Sequence, residues 1–73
     1  MSKLRILNES GDTTLEWDLE DKVSVEAVRK EFDTIIAQGY MAFSITSPTQ
    51  GEVIRKFDPA AKEIIMTAPM VGG

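Results

Sequence analysis

Apolar and polar residues alternate along residues 3–7, with Leu4 and Ile6 on one side and Lys3 and Arg5 on the other, the period-two pattern of a half-buried strand. A cleaner alternation covers residues 13–19, with Leu15, Trp17 and Leu19 expected inward and Thr14, Glu16 and Asp18 outward. Between them Asn8-Glu9-Ser10-Gly11-Asp12 is a turn cluster, so the two runs predict a β-hairpin with a five-residue, glycine-containing loop.

The period then changes to that of a helix. Val25, Val28, Phe32, Ile35 and Ile36 form one apolar stripe. Ser24 is the expected N-cap, with Glu26 in the first turn where the macrodipole favours a carboxylate. Glu26 and Lys30, and Arg29 and Asp33, stand four apart on the polar side, where opposite charges support a helix. Gly39 suits the left-handed residue that closes it.

Residues 40–46 alternate again, with Met41, Phe43 and Ile45 on one face and Ala42, Ser44 and Thr46 on the other. Residues 52–57 carry charge on both faces, which suits an edge strand. Asp58-Pro59-Ala60-Ala61 has the cap-then-proline start of one helical turn. The consecutive apolar residues of 63–67 suit a strand covered on both sides. Trp17, Phe32, Phe43 and Phe57 are assigned to the core. A single long helix after a hairpin must cross the sheet, and a right-handed crossover lets a late strand lie parallel to the first in the middle. The expected class is α+β: a mixed sheet of four to five strands covered on one face by one helix, the β-grasp arrangement.

At 73 residues the chain reads as one domain over residues 1–67, followed by a flexible tail over residues 68–73. It contains no cysteine and no histidine. Disulfides, a thiolate nucleophile and a Cys-containing zinc site are thereby excluded, and the usual general base is missing, which argues against an enzyme. No metal and no bound cofactor are expected. The net charge of −4 would repel nucleic acid, and is of the size that keeps a small domain dissolved. Without an apolar leader pattern near residue 1 or a run long enough to span a bilayer, the expected location is cytoplasmic and away from membranes.

Asp18, Glu20 and Asp21 form an acidic cluster whose plain reading is a solvated turn and whose sharper one is a site for a hard cation. The last residues are Ala68-Pro69-Met70-Val71-Gly72-Gly73. A proline stiffens the exit from the last strand, and two residues without Cβ can thread a channel too narrow for any other residue.

Element order and tail together resemble those of ubiquitin-like proteins over the whole chain. Pro69-Met70-Val71-Gly72-Gly73 is most similar to the tail of the molybdopterin-synthase small subunit, a sulfur carrier of that superfamily, although Ala68 stands where that family commonly has a second proline. The resemblance implies a prokaryotic-style modifier. An adenylating enzyme of the ubiquitin-activating type would join the Gly73 carboxylate to AMP, using ATP that this chain does not itself bind. The acyl group then passes through a conjugating enzyme to a lysine of a target protein, with a metalloprotease as a further partner. Alternatively the product is a Gly73 thiocarboxylate that delivers sulfur to cofactor or tRNA synthesis. A third reading is an interaction module of the same fold without tail chemistry. Gly72 and Gly73 would carry activation, and Pro69, Met70 and Val71 would be recognised. Leu7, Ala42 and Ile54 would lie on the sheet face away from the helix, where such proteins bind partners. Lys3, Lys22, Lys30, Lys56 and Lys62 are candidate acceptor amines.

Overall fold

The computed structural model describes residues 1–8, 11–47 and 50–69, with only the backbone described at Thr46. Five strands and one helix follow in the order β1 (Ser2–Asn8), β2 (Gly11–Trp17), α1 (Lys22–Ala37), β3 (Met41–Ser47), β4 (Gln50–Ile54) and β5 (Glu63–Thr67). The strands form a single mixed sheet in the order β2-β1-β5-β3-β4, in which β1 and β5 are parallel and the other pairs antiparallel. The last strand therefore sits at the centre. The fold class is α+β, with one helix packed on a five-stranded sheet.

Residues paired across strands share a face, so the register assigns every strand side chain to one side. Leu4 pairs with Ile64, which pairs with Ser44; Ile6 pairs with Met66, which pairs with Ala42, which pairs with Ile54. These rows meet the helix. Leu4, Ile6, Trp17, Ala42, Ile64 and Met66 form one buried cluster with the helix stripe Val28, Phe32 and Ile35. Val25 and Ile36, the other stripe positions read from the sequence, pack against its border.

Several local expectations are corrected. The hairpin is tighter than a five-residue loop, because Asn8 pairs directly with Gly11 and leaves only residues 9 and 10 between them. Gly11 accepts the resulting φ of 128°. β2 ends at Trp17, so Leu19 falls in the following turn, 57% exposed instead of inward. The helix N-cap is Asp21 and not Ser24: the Asp21 carboxylate accepts from the backbone N–H of Val23 at 3.1 Å and of Ser24 at 3.4 Å. Starting three residues earlier, the helix has no acidic side chain in its first turn, and Glu26 belongs to the second. Ser24 ties the entry turn together instead. Its hydroxyl lies 2.8 Å from the Asp21 carbonyl and 3.2 Å from that of Asp18, and it accepts the Asp18 N–H at 3.0 Å. On the exposed side Arg29 pairs with Glu26, three residues back, and the guanidinium pKa is raised, first by that hydrogen bond and then by the carboxylate's charge.

The helix closes as the sequence indicates. Gly39, at φ 95°, donates to the Ile36 carbonyl at 3.0 Å, and Tyr40 donates to that of Ile35 at 3.4 Å, the paired bonds of a Schellman motif. β4 is an edge strand, but it stops at Ile54, and the chain bends at Arg55 and Lys56. Phe57, released from the strand, turns back to the core. Its ring meets Trp17 edge-on with centroids 4.9 Å apart, and lies 5.7 Å from Phe32. Asp58 to Ala61 is a hydrogen-bonded turn and not a helical one: Ala61 donates to the Asp58 carbonyl at 3.1 Å and Ala60 to its carboxylate at 3.0 Å. That turn presents the Pro59 carbonyl to Trp17, whose indole N–H donates to it at 3.0 Å. β5 is covered on one face only, with Ile64 and Met66 buried and Ile65 partly exposed on the other side.

Candidate functional site

Two features of the fold bear on function: the sheet face opposite the helix, and the point where the chain leaves β5.

On the open face the register builds three rows. The first runs Asp12, Leu7, Thr67, Met41; the second Thr14, Arg5, Ile65, Phe43, Val53; the third Glu16, Lys3, Glu63, Ile45, Gly51. The rows divide the face in two. Toward β2 it is charged, with Arg5 held 3.7 Å from Asp12 and 3.8 Å from Glu63. Toward β4 it is apolar: Met41, Phe43, Ile45, Val53 and Ile65 adjoin one another, with Met41 49% and Val53 58% exposed, and Leu7 borders them from β1, on the far side of Thr67. Gly51 keeps this half flat, since a Cβ there would stand 3.1 Å from Ile45 Cδ1. Contiguous apolar surface of this kind marks interaction sites more often than scattered single residues do.

The sequence reading placed Leu7, Ala42 and Ile54 on this face, and the register moves two of them. Leu7 is on it. Ala42 is fully buried under the helix, and Ile54, its partner across β3 and β4, points the same way. Phe43, assigned to the core, is on the open face instead. The physical reason is volume. The helix brings Phe32, Val28 and Ile35 down onto the sheet, and close packing beneath them is met by the small Ala42 and Ser44. The larger half of β3 is thereby turned outward. Alternation alone defines two faces without saying which is covered; the signal available was the pairing of a bulky helix stripe with the one strand that offers alanine and serine.

At the exit, Thr67 pairs with Met41 and the chain continues through Ala68 and Pro69 beside the helix terminus. The space above Gly39 is filled by the Pro69 ring: a Cβ on Gly39 would lie 3.8 Å from Pro69 Cβ and 3.9 Å from its Cγ. Met70, Val71, Gly72 and Gly73 lie outside the described residues. Lys3, Lys22, Lys30, Lys56 and Lys62 are all exposed.

The acidic cluster has a local role. Asp18 accepts the N–H of Glu20 at 3.0 Å and Asp21 caps the helix, so both carboxylates serve backbone amides. Among the described residues no three acidic side chains come close enough to hold a metal ion, and no helix is long and apolar enough to cross a membrane. No family model matches the chain, and no curated protein or solved structure matches it significantly.

Proposed function

We propose that this protein is a ubiquitin-like modifier of β-grasp fold, whose Gly73 carboxylate is adenylated by a ubiquitin-activating-type enzyme and transferred to target amines. The observation that carries the reading is the junction of the central strand with the tail: β5 leads through Ala68 and Pro69 straight into Met70-Val71-Gly72-Gly73. The strand order β2-β1-β5-β3-β4, with β1 parallel to β5, agrees with the β-grasp expectation. In this reading the chain is substrate and carrier. It supplies no catalytic side chain and binds no cofactor, the ATP being consumed by its activator. The apolar half of the open face, Leu7, Met41, Phe43, Ile45, Val53 and Ile65, is the surface that partners of the pathway recognise.

The tail's likeness to the molybdopterin-synthase small subunit supports a second reading, a cytoplasmic sulfur carrier bearing a Gly73 thiocarboxylate. Cytoplasmic extract of the native host, supplied with ATP and the purified chain, separates the readings. A modifier forms a thiol-sensitive adduct and then thiol-resistant conjugates, and Gly72→Val forms neither. A carrier gains only the mass difference between sulfur and oxygen. A chain left unchanged by extract and ATP in both forms would reduce the proposal to a binding module.

A further inference from the structure

We infer that the groove at the end of β4 binds the free C-terminus of a partner chain, whose apolar last residue enters the groove while its α-carboxylate meets Arg55. The groove has a volume of about 290 Å³. It is lined by Ile36 from the last turn of α1, by Tyr40, Met41 and Ala42 around the start of β3, and by Val53, Ile54 and Arg55 at the end of β4. Ile36, Tyr40 and Ile54 are half-buried, and Met41 and Val53 are exposed. A space of this size is at the small end of ligand sites and admits one large apolar side chain with a terminal group.

Charge selects the chemistry of the occupant. Arg5 stands between Asp12 and Glu63, and Arg29 holds Glu26, so two of the three arginines have carboxylate partners within the chain. Arg55 is exposed and has no ion-pair partner among the described residues. It is also the one charged side chain among the described residues of the lining. Apolar walls beside a single guanidinium complement an apolar group that ends in a carboxylate, which the guanidinium can take through two parallel hydrogen bonds.

The sheet edge makes that occupant a chain. β4 is last in the strand order, so the side of Gly51–Ile54 away from β3 has no strand beside it among the described residues, and an extended segment can pair there. With its last residue at Arg55, the segment runs parallel to β4. A second copy of β4 fits less well, because an antiparallel pair centred on the strand sets Glu52 opposite its own equivalent, like charge against like. The site does not depend on the chemistry of Gly73.

The test uses acetylated hexapeptides ending in leucine, methionine, valine or phenylalanine, each as the free acid and as the C-terminal amide. They are titrated into the isotope-labelled full chain and followed by backbone amide NMR. The site predicts saturable shifts at residues 36, 40–42 and 51–55 with at least one free acid, and a dissociation constant raised about tenfold or more by amidation, the effect of losing a charge-assisted hydrogen bond. Arg55→Gln should weaken the acid by the same factor and leave the amide unaffected, with an unchanged melting temperature because Arg55 is exposed. No shift with any free acid, equal binding of acid and amide, or shifts centred on Leu7 and Phe43 of the open face would each overturn the inference. So would N-acetyl-leucine binding as tightly as the hexapeptides, which would make the occupant a small carboxylic acid instead of a chain. None of these readouts involves activation, so a failed titration leaves the modifier proposal standing, and the reverse.

Discussion

Trp17 ties the hairpin to the turn before the last strand, and its replacement by phenylalanine tests the fold where three elements meet. The indole is fully buried, donates to the Pro59 carbonyl at 3.0 Å and meets Phe57 edge-on. Phenylalanine keeps an aromatic ring and loses the donor together with about three ring atoms. Leaving the Pro59 carbonyl without its partner costs about 1–2 kcal/mol, the lower part of the usual range because Pro59 is only partly buried. The space vacated, on the order of 40 Å³ at about 24 cal/mol per Å³, adds about 1 kcal/mol. A chain of 73 residues has roughly 4–11 kcal/mol in total, so a loss of about 2–3 kcal/mol is a large share. At about 4–8 °C per kcal/mol for a domain of this size, the melting temperature followed by far-ultraviolet circular dichroism should fall by about 10–20 °C. Leu19→Ser is the matched control. It lies two residues further on and is 57% exposed, so its cost should stay within about 0.5 kcal/mol. Were Trp17→Phe to move the midpoint by less than about 4 °C, or Leu19→Ser to cost as much as it, the placement of this strand end would be wrong.

The other expectations concern the helix ends, the open face and the tail. Asp21→Ala should remove the N-cap and cost about 1 kcal/mol in chemical denaturation; an unchanged midpoint would return the cap to Ser24. Gly39→Ala should cost on the order of 1–2 kcal/mol through its φ of 95°, since its Cβ would meet Pro69 only at ordinary contact distance. Val53→Asp, on the open face, should leave the melting temperature within about 4 °C of the parent while weakening partner binding at least tenfold by titration calorimetry. Equal binding would remove that face from recognition. Gly72→Val should leave thermal stability unchanged and block activation; a lowered melting temperature would mean that the tail contributes to the core.

The elements that the sequence made legible are those whose signal is local. The alternation at Leu4 and Ile6, the stripe at Val28, Phe32 and Ile35, and the glycine at 39 each depend on neighbours within a few residues, and each is where its pattern indicates. What failed to be legible depends on residues distant in the chain. Trp17 finds the Pro59 carbonyl at a separation of 42 residues, and Phe57 reaches Trp17 and Phe32 from beyond the end of β4, contacts that no local pattern announces. Asp21 and Ser24 are equally good cap residues three apart, and only the backbone geometry, with the Asp21 carboxylate on the N–H groups of Val23 and Ser24, decides between them. For the candidate site, of Leu7, Ala42 and Ile54 only Leu7 lies on the open face, because alternation carries no sign. Ala42 and Phe43 are equally good strand residues, and only the bulk arriving from the helix decides which of them is covered.

The central claim, that this body presents Gly73 for activation and transfer, is tested most directly by mass spectrometry of trypsin-digested protein from the native host. Lys62 is the last basic residue, so a target lysine modified by this chain would keep residues 63–73 as a branch. The account predicts lysines in other proteins bearing that branch, joined through Gly73, and their disappearance in a host carrying Gly72→Val. Finding residues 63–73 only as an unbranched peptide with a free Gly73 carboxylate, or only within a longer peptide running on past Gly73, would contradict it.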